Sequence, residues 1–193
     1  MSTALPKGFR ANGIHAGLKS SGALDLTLIQ NCGPRFDAAA VYTTNKVVAA
    51  PVIWSREVTK GGIVRAAILN SGGANACTGP DGFLDTHMTV EKVAELLEIS
   101  SGEVVVCSTG LIGERLPMEK ILSGTKQLAT SLSEESLDLI CDWRDNRNYA
   151  LFEQDVDCCC IYSFNFSDEA EICALTINEC LLARSKESSG MSS

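Results

Sequence analysis

The sequence predicts an α/β fold of the α+β type: a mixed or antiparallel sheet with helices packed on it. Three observations point there. Several β-rich runs with short connections fill roughly the first 75 residues, two amphipathic helical stripes follow, and a Val-rich strand separates those stripes. The 193 residues are 45% hydrophobic and 21% charged, a globular composition in a chain long enough for one substantial domain.

Taken in order, "GALDLTLIQN" alternates Leu24, Leu26 and Leu28 with Asp25 and Thr27, which predicts a strand with one wet face. Ser20-Ser21-Gly22 before it reads as a turn. "AAAVYTTNKV" and "APVIWSREV" are two further β-rich runs, and "GGIVRAAILNSGGANA" is a fourth that ends in a Gly-rich loop. In "THMTVEKVAELLEIS", Val90, Val93, Ala94 and Leu97 make one apolar stripe, with Thr89 as the expected N-cap. The strand "EVVVCST" comes next. After "GLIGER", Pro117 suits a first helical turn, and Met118, Ile121, Leu122 and Leu128 form the second stripe. "SEESLDLICDW" is a candidate short helix, and beyond it periodicity assigns nothing.

Charge divides the chain near residue 130. Residues 1–130 hold 12 Lys and Arg against 11 Asp and Glu, a net of +1, whereas residues 131–193 hold 4 against 13, a net of −9. Six of the nine cysteines also follow residue 130. Two regions are therefore expected, a domain over 1–130 and a divergent acidic, Cys-rich segment over 131–193.

The overall charge of −8 argues against nucleic acid as a partner, because phosphate neutralisation needs clustered Lys and Arg. No apolar run approaches the length of a membrane span, and "MSTALPKGFR" has no apolar signal core, so a cytoplasmic location is expected. In that setting nine cysteines do not suggest a disulfide framework. Nor does the run Cys158-Cys159-Cys160, with Cys173 and Cys180, have metal-ligand spacing: there is no C-x-x-C pair and no nearby His. No metal and no organic cofactor is expected.

Two loops carry candidate chemistry. "NSGGANACTG", Asn70 to Gly79, is rich in residues that tolerate positive φ, so its N–H groups could converge on an anion or a carbonyl. Its glycines miss the dinucleotide-binding spacing, and no helix is predicted directly after it. A tight structural turn and a substrate-facing loop are both open readings. The second is "VVVCSTGLIG", Val104 to Gly113, where a strand runs into a thiol and two hydroxyls. A nucleophile there would need a base, and the two histidines, His15 and His87, lie far off in sequence. Backbone N–H groups and a hydroxyl at a strand end beside a glycine instead suit an oxyanion hole; a plain strand-end turn is the alternative.

"KGFRANGIHAGLKSSGALDLTLI", "AAVYTTNKVVAAPV", "AILNSGGANACTG" and "VCSTGLIGERLPMEKI", in this order and at these intervals, resemble the N-terminal half of the ornithine acetyltransferase family. Its members are bifunctional glutamate N-acetyltransferase/amino-acid acetyltransferases of arginine biosynthesis. The resemblance runs from about Pro6 to Leu128. It implies a precursor that cuts itself before a threonine, giving α and β chains. The freed threonine takes acetyl from N-acetylornithine and passes it to glutamate, and some members also use acetyl-CoA. It also implies that Thr109, through its hydroxyl, and Gly110, through its N–H, form the oxyanion hole. The partners so implied are these small molecules and a complementary β chain in a hetero-oligomer.

The departures from the family pattern begin near residue 130. Neither the Met-Thr-Thr-Asp-Thr segment with its lysine nor the Lys-Gly-x-Gly-Met stretch before the cleaved Ala-Thr is present. Ala129-Thr130 in "QLATSL" lacks the Gly-rich lead-in and lies in a helical pattern, so it is not taken as a cleavage site. The expectation is an acyltransferase by descent without its nucleophile, its C-terminal segment either out-of-frame or a replaced tail. A binding protein for N-acetylated amino acids and a nonfunctional truncated product are the alternatives.

Overall fold

The computed structural model describes residues 5, 7–42 and 46–134, together with the backbone of strands at 159–166 and 170–176. In chain order the elements are β1 (Phe9–Ile14), β2 (Leu26–Asn31), β3 (Ala38–Tyr42), α1 (Ala50–Thr59), β4 (Ala66–Gly73) and α2 (Gly79–Leu97). Then follow β5 (Val104–Leu111), α3 (Met118–Ser131), β6 (Cys159–Phe166) and β7 (Ala170–Thr176). The main sheet has the order β1-β2-β4-β5, and β3-β6-β7 form a second sheet. β1 to β2 and β2 to β4 are antiparallel, while β4 and β5 run parallel. The expected mixed sheet with helices is therefore the observed architecture. The β4–β5 crossover is carried by α2, as a parallel connection requires.

Each face of the main sheet is covered. Leu26, Leu28, Ile68, Val104 and Val106 face one core, closed by Val90 and Val93 of α2 and Ile121 and Leu128 of α3. Ile29, Ala67, Leu69, Val105 and Cys107 face the other, with Phe9 of β1 and Val58 of α1. Gly124 lets α3 approach the sheet closely: a Cβ there would lie 2.7 Å from Leu26 Cδ2 and 3.0 Å from Ala16 Cβ. Because β2 sits inside the sheet and is covered on both sides, Asp25 and Thr27 are buried, and the expected wet face does not exist.

Three other expectations change. "APVIWSREV" is helix, not strand. Pro51 opens α1, and Val52, Ser55 and Val58 recur at helical spacing on its buried side. The β-branched content that suggested a strand is overridden by this packing. α2 begins at Gly79, directly after the Gly-rich loop, so a helix does follow it. Thr89 then lies mid-helix, buried, its hydroxyl donating to Asp85 O at 2.8 Å rather than capping. Pro117 flanks α3 as its N-cap residue. β1, absent from the sequence reading, alternates buried Phe9, Ala11 and Gly13 with half-buried Arg10, Asn12 and Ile14.

"SEESLDLICDW" lies almost wholly outside the described residues. Among the described residues no helix is long and apolar enough to cross a membrane. No group of three His, Cys, Asp or Glu side chains among them is arranged to hold a metal ion.

Candidate functional site: the C-terminal end of β4 and β5

β5 is the edge strand of the main sheet, and α1 covers part of that edge. The Trp54 indole N–H donates to Val104 O at 3.0 Å. One residue on, the Ser55 hydroxyl donates to Val106 O and accepts from Val106 N–H, both at 2.9 Å. These side chains satisfy backbone groups that an edge strand would otherwise leave unpaired. Val104 and Val106 thus turn their backbone groups outward, and Leu111 turns its carbonyl inward to accept from Ala74 N–H at 2.9 Å. Gly110 lies on the same strand beyond the stretch held by Trp54 and Ser55.

The side chains of "CST" separate by the same period. Cys107 is buried in the core beside Leu69. The Ser108 hydroxyl donates to Asn70 Oδ1 at 2.5 Å, and the Asn70 amide donates to Gly73 O at 3.0 Å. Thr109, half-buried, continues the Cys107 face and stands opposite Ser71 in the β4–β5 register. Both histidines make contacts elsewhere. His15 Nδ1 lies 3.0 Å from Ala23 O and 3.1 Å from Asp25 Oδ2, and His87 packs edge-on to Trp54 with ring centroids 5.2 Å apart.

Glycine is required where the two strands end. Gly110 has φ +132, and a Cβ on it would lie 2.6 Å from Gly72 C and 2.7 Å from Gly73 N. Gly72 in turn has φ +146, and a Cβ there would lie 3.0 Å from Leu18 Cβ and 3.2 Å from Leu18 O. The two glycines therefore let three segments approach closely: the loop at Leu18, through its Cβ and backbone, then Gly72, then Gly110.

Asp25 anchors the first of these segments. Its carboxylate, buried at the start of β2, accepts from Ala16 N (2.6 Å), Leu18 N (2.7 Å) and Lys19 N (2.9 Å). Its own backbone carbonyl accepts from Ser71 N–H at 2.9 Å, so one residue fixes both the loop and β4. Sequence reading took Asp25 for a solvent-facing strand residue. The signal it missed is an acid inside an apolar run, just after a loop with spare N–H groups.

Within the Gly-rich loop, the side chains of Asn70, Asn75 and Thr78 make internal hydrogen bonds. Asn75, with φ 51, is fully buried; its amide donates to Gly82 O at 2.8 Å and to Thr86 Oγ1 at 3.0 Å. Its Oδ1 accepts from the Thr78 hydroxyl at 2.8 Å. Beyond β5, Gly113 N–H donates to Ala76 O at 2.8 Å, which ties the two loops together. Arg115 grips the buried Asp85 of α2 with two bonds, Nε–H to Oδ2 at 3.0 Å and Nη2–H to Oδ1 at 2.6 Å. That hydrogen bond to Asp85, the nearby charge of Asp85 and then that of Asp81 hold the guanidinium pKa above its ordinary value, against partial desolvation. Thr130 lies in the last turn of α3, donating to Gln127 O at 2.8 Å, in helix rather than in an exposed loop.

Comparison with known proteins gives this arrangement relatives. The chain is 59% identical over 134 residues to "Arginine biosynthesis bifunctional protein ArgJ" of Streptomyces avermitilis, and 60% identical over 134 residues to the same-named protein of Streptomyces coelicolor. Each match covers 69% of this chain but 35% of the relative, so the chain spans about a third of their length. Among solved structures it is similar to ornithine acetyltransferase from Mycobacterium tuberculosis in complex with ornithine. The TM-score is 0.68 at 42% identity, covering 91% of this chain and 94% of that one. The arginine biosynthesis bifunctional protein of Bacillus halodurans gives 0.64 at 32% identity, covering 91% and 92%. The model of the ArgJ family matches residues 10–152, which takes in β1, Asp25, both glycine-lined strand ends and α3. By sequence and by fold, the chain belongs to the ArgJ family.

Proposed function

We propose that this chain supplies the oxyanion-holding half of an acetyltransferase site in arginine biosynthesis. The acetyl donor is N-acetylornithine, with acetyl-CoA as a second candidate donor, and the acceptor is glutamate. The observation that carries this reading is Gly110: it follows Thr109 at the end of β5, and close approach to Gly72 fixes its backbone.

Thr109 and Gly110 are the catalytic residues in this reading. A threonine hydroxyl from a complementary chain attacks the acetyl carbonyl, its proton passing to a base on that chain. The carbonyl oxygen becomes an oxyanion that accepts from Thr109 Oγ–H and Gly110 N–H. Collapse breaks the C–N bond, ornithine leaves with a proton on its amine, and acetyl stays on the threonine. The glutamate amine then attacks the ester, giving up a proton to the base, and the same two donors hold the second oxyanion; its collapse breaks the ester C–O bond, the threonine oxygen takes back a proton, and N-acetylglutamate leaves. Donors already in place for developing charge need no reorganisation, and each is worth about 10²–10³ in kcat.

On this reading the chain works in a cytoplasmic hetero-oligomer and has no turnover alone. Residues 131–193 form a segment distinct from the 1–130 domain, a reading supported by the change of charge at that point. The family match to residue 152 bounds how far that segment can depart from the family.

The test is acetyl transfer from N-acetylornithine to glutamate, followed by mass spectrometry. The chain is assayed alone and co-expressed with the part of the Streptomyces avermitilis relative that lies beyond its match. Transfer by the co-expressed pair only, reduced about 10²–10³-fold by Thr109→Val, is expected. Turnover by the chain alone, with an intact mass showing cleavage before a threonine, would overturn the missing nucleophile. Absence of transfer in both preparations would overturn the acetyltransferase reading.

A further inference from the structure

Polar side chains at the strand ends are matched almost throughout: Asn70 to Ser108 and Gly73, Asn75 to Gly82, Thr86 and Thr78, and Ser55 to Val106. Ser71 is the exception. It is 1% exposed, and its Oγ has no hydrogen-bond partner. Among the described residues the only other buried side-chain atom in this position is Arg65 Nε, at the opposite end of β4. A buried hydroxyl without a partner is costly, and that cost calls for a specific explanation where it arises.

Its place supplies one. Ser71 pairs with Thr109 in the parallel register, and both continue the face that carries Leu69 and Cys107. Neighbouring strands lie about 4.8 Å apart, so side chains on one face at one register position are immediate neighbours. The Ser71 backbone is held by the bond from its N–H to Asp25 O, which leaves rotation about χ1 as the freedom of its hydroxyl.

We propose that Ser71 is a positioning residue for Thr109. When Thr109 gives its single hydroxyl proton to an oxyanion, its oxygen still has lone pairs to accept with. The Ser71 hydroxyl turns to donate to it. The chain Ser71 O–H to Thr109 O–H to oxyanion polarises along its length, which strengthens the last bond as negative charge grows. This inference rests on the oxyanion reading of Thr109. It adds a second hydroxyl behind the two donors, one that never touches substrate.

The test is a double-mutant cycle in the co-expressed enzyme, with thermal unfolding of the chain beside it. Ser71→Ala is expected to lower kcat roughly three- to ten-fold with KM unchanged, the loss of one hydrogen bond made only in the transition state. In a Thr109→Val background the same substitution is expected to change nothing further. The unfolding midpoint of Ser71→Ala should stay level or rise, because the substitution removes a polar group that has no partner. Additive losses, or an unchanged kcat in the wild-type background, would overturn the inference while leaving the Thr109 reading intact. A midpoint several degrees lower would overturn it too, by showing that the hydroxyl is satisfied structurally. A wild-type pair that transfers no acetyl removes the oxyanion reading itself, and this inference falls with it.

Discussion

Gly110→Ala is the substitution that most directly probes how the strand end is built. The added methyl would stand 2.6 Å from Gly72 C and 2.7 Å from Gly73 N, inside any permissible carbon contact. Both obstacles are backbone atoms of a paired strand, so neither can swing aside as a side-chain tip would. A second penalty comes from φ +132, a conformation that costs a residue with a Cβ roughly 1–3 kcal/mol. Overpacking against fixed neighbours adds about 1–3 kcal/mol, for an expected loss of about 2–6 kcal/mol. For a chain of this size, at about 3 °C per kcal/mol, that lowers the melting midpoint by about 6–18 °C. Gly22→Ala separates the two terms. Gly22 has φ +76 with nothing within 4 Å of its would-be Cβ, so it carries only the backbone penalty, about 1–2 kcal/mol. Thermal and urea unfolding of both variants decide the matter. If Gly110→Ala loses no more than Gly22→Ala, close approach to Gly72 is not what requires glycine there.

Asp25→Ala should lower stability by about 3–5 kcal/mol in urea titration, since it strips a buried acceptor from three N–H donors; a loss below about 1 kcal/mol would mean that the loop at Leu18 is held by other contacts. Arg115→Ala should lower the unfolding midpoint more than Arg115→Lys, because lysine keeps a charge beside buried Asp85 but loses the two-point grip; equal midpoints would refute the bidentate argument. Cys32 should alkylate more slowly than Cys77 at pH 8 in a peptide-mapped iodoacetamide time course. Desolvation pushes its thiol pKa up, outweighing the opposing pull of Arg10, while Glu134 adds to the rise and Arg65 opposes it. In sign, the neutral thiol is the form favoured by folding, so its contribution is complete below the unfolded-state pKa and fades as pH rises through the folded one. Faster modification of Cys32 than of Cys77 would contradict this.

What could be read from the sequence followed how strongly each segment's local pattern agreed with its environment. β4 and β5 announce themselves because their first halves, AAIL and VVVC, are buried on both faces and read as short apolar runs before polar residues and glycine. α1 misleads because Val52, Ile53, Trp54 and Val58 are good strand residues. What makes it a helix is Pro51 at its start and the role of Ser55 and Trp54 on the β5 edge, a tertiary fact. β1 is hard to see because Ala11 and Gly13 carry little hydrophobic signal, although their burial is set by pairing with Ile29 and Thr27. In the candidate site, the strand-end motif left an oxyanion hole and a plain turn both open, and the family resemblance put the proposed roles on Thr109 and Gly110. Asp25 and Ser71 could not be named, because each matters through a neighbour distant in sequence.

That distance also explains why three of the four family-like stretches go together. "GIHAGLKSSGALD" supplies the Leu18 loop and the Asp25 that ties it. "LNSGG" supplies Gly72 between that loop and Gly110, and "CSTGLIG" supplies the strand end itself. The following "ERLP" places Leu116 where a Cβ on Gly73 would meet it at 2.7 Å, closing the stack from its far side. An oxyanion hole works only if its donors are fixed before charge develops. In the oxyanion hole proposed for this strand end, that fixity comes from the close approach of Gly110 to Gly72 and of Gly72 to Leu18, so it cannot be supplied by any one of these stretches alone. A substitution at Gly72 should therefore harm the Gly110 N–H as surely as one at Gly110, though Gly72 itself offers no group to the reaction.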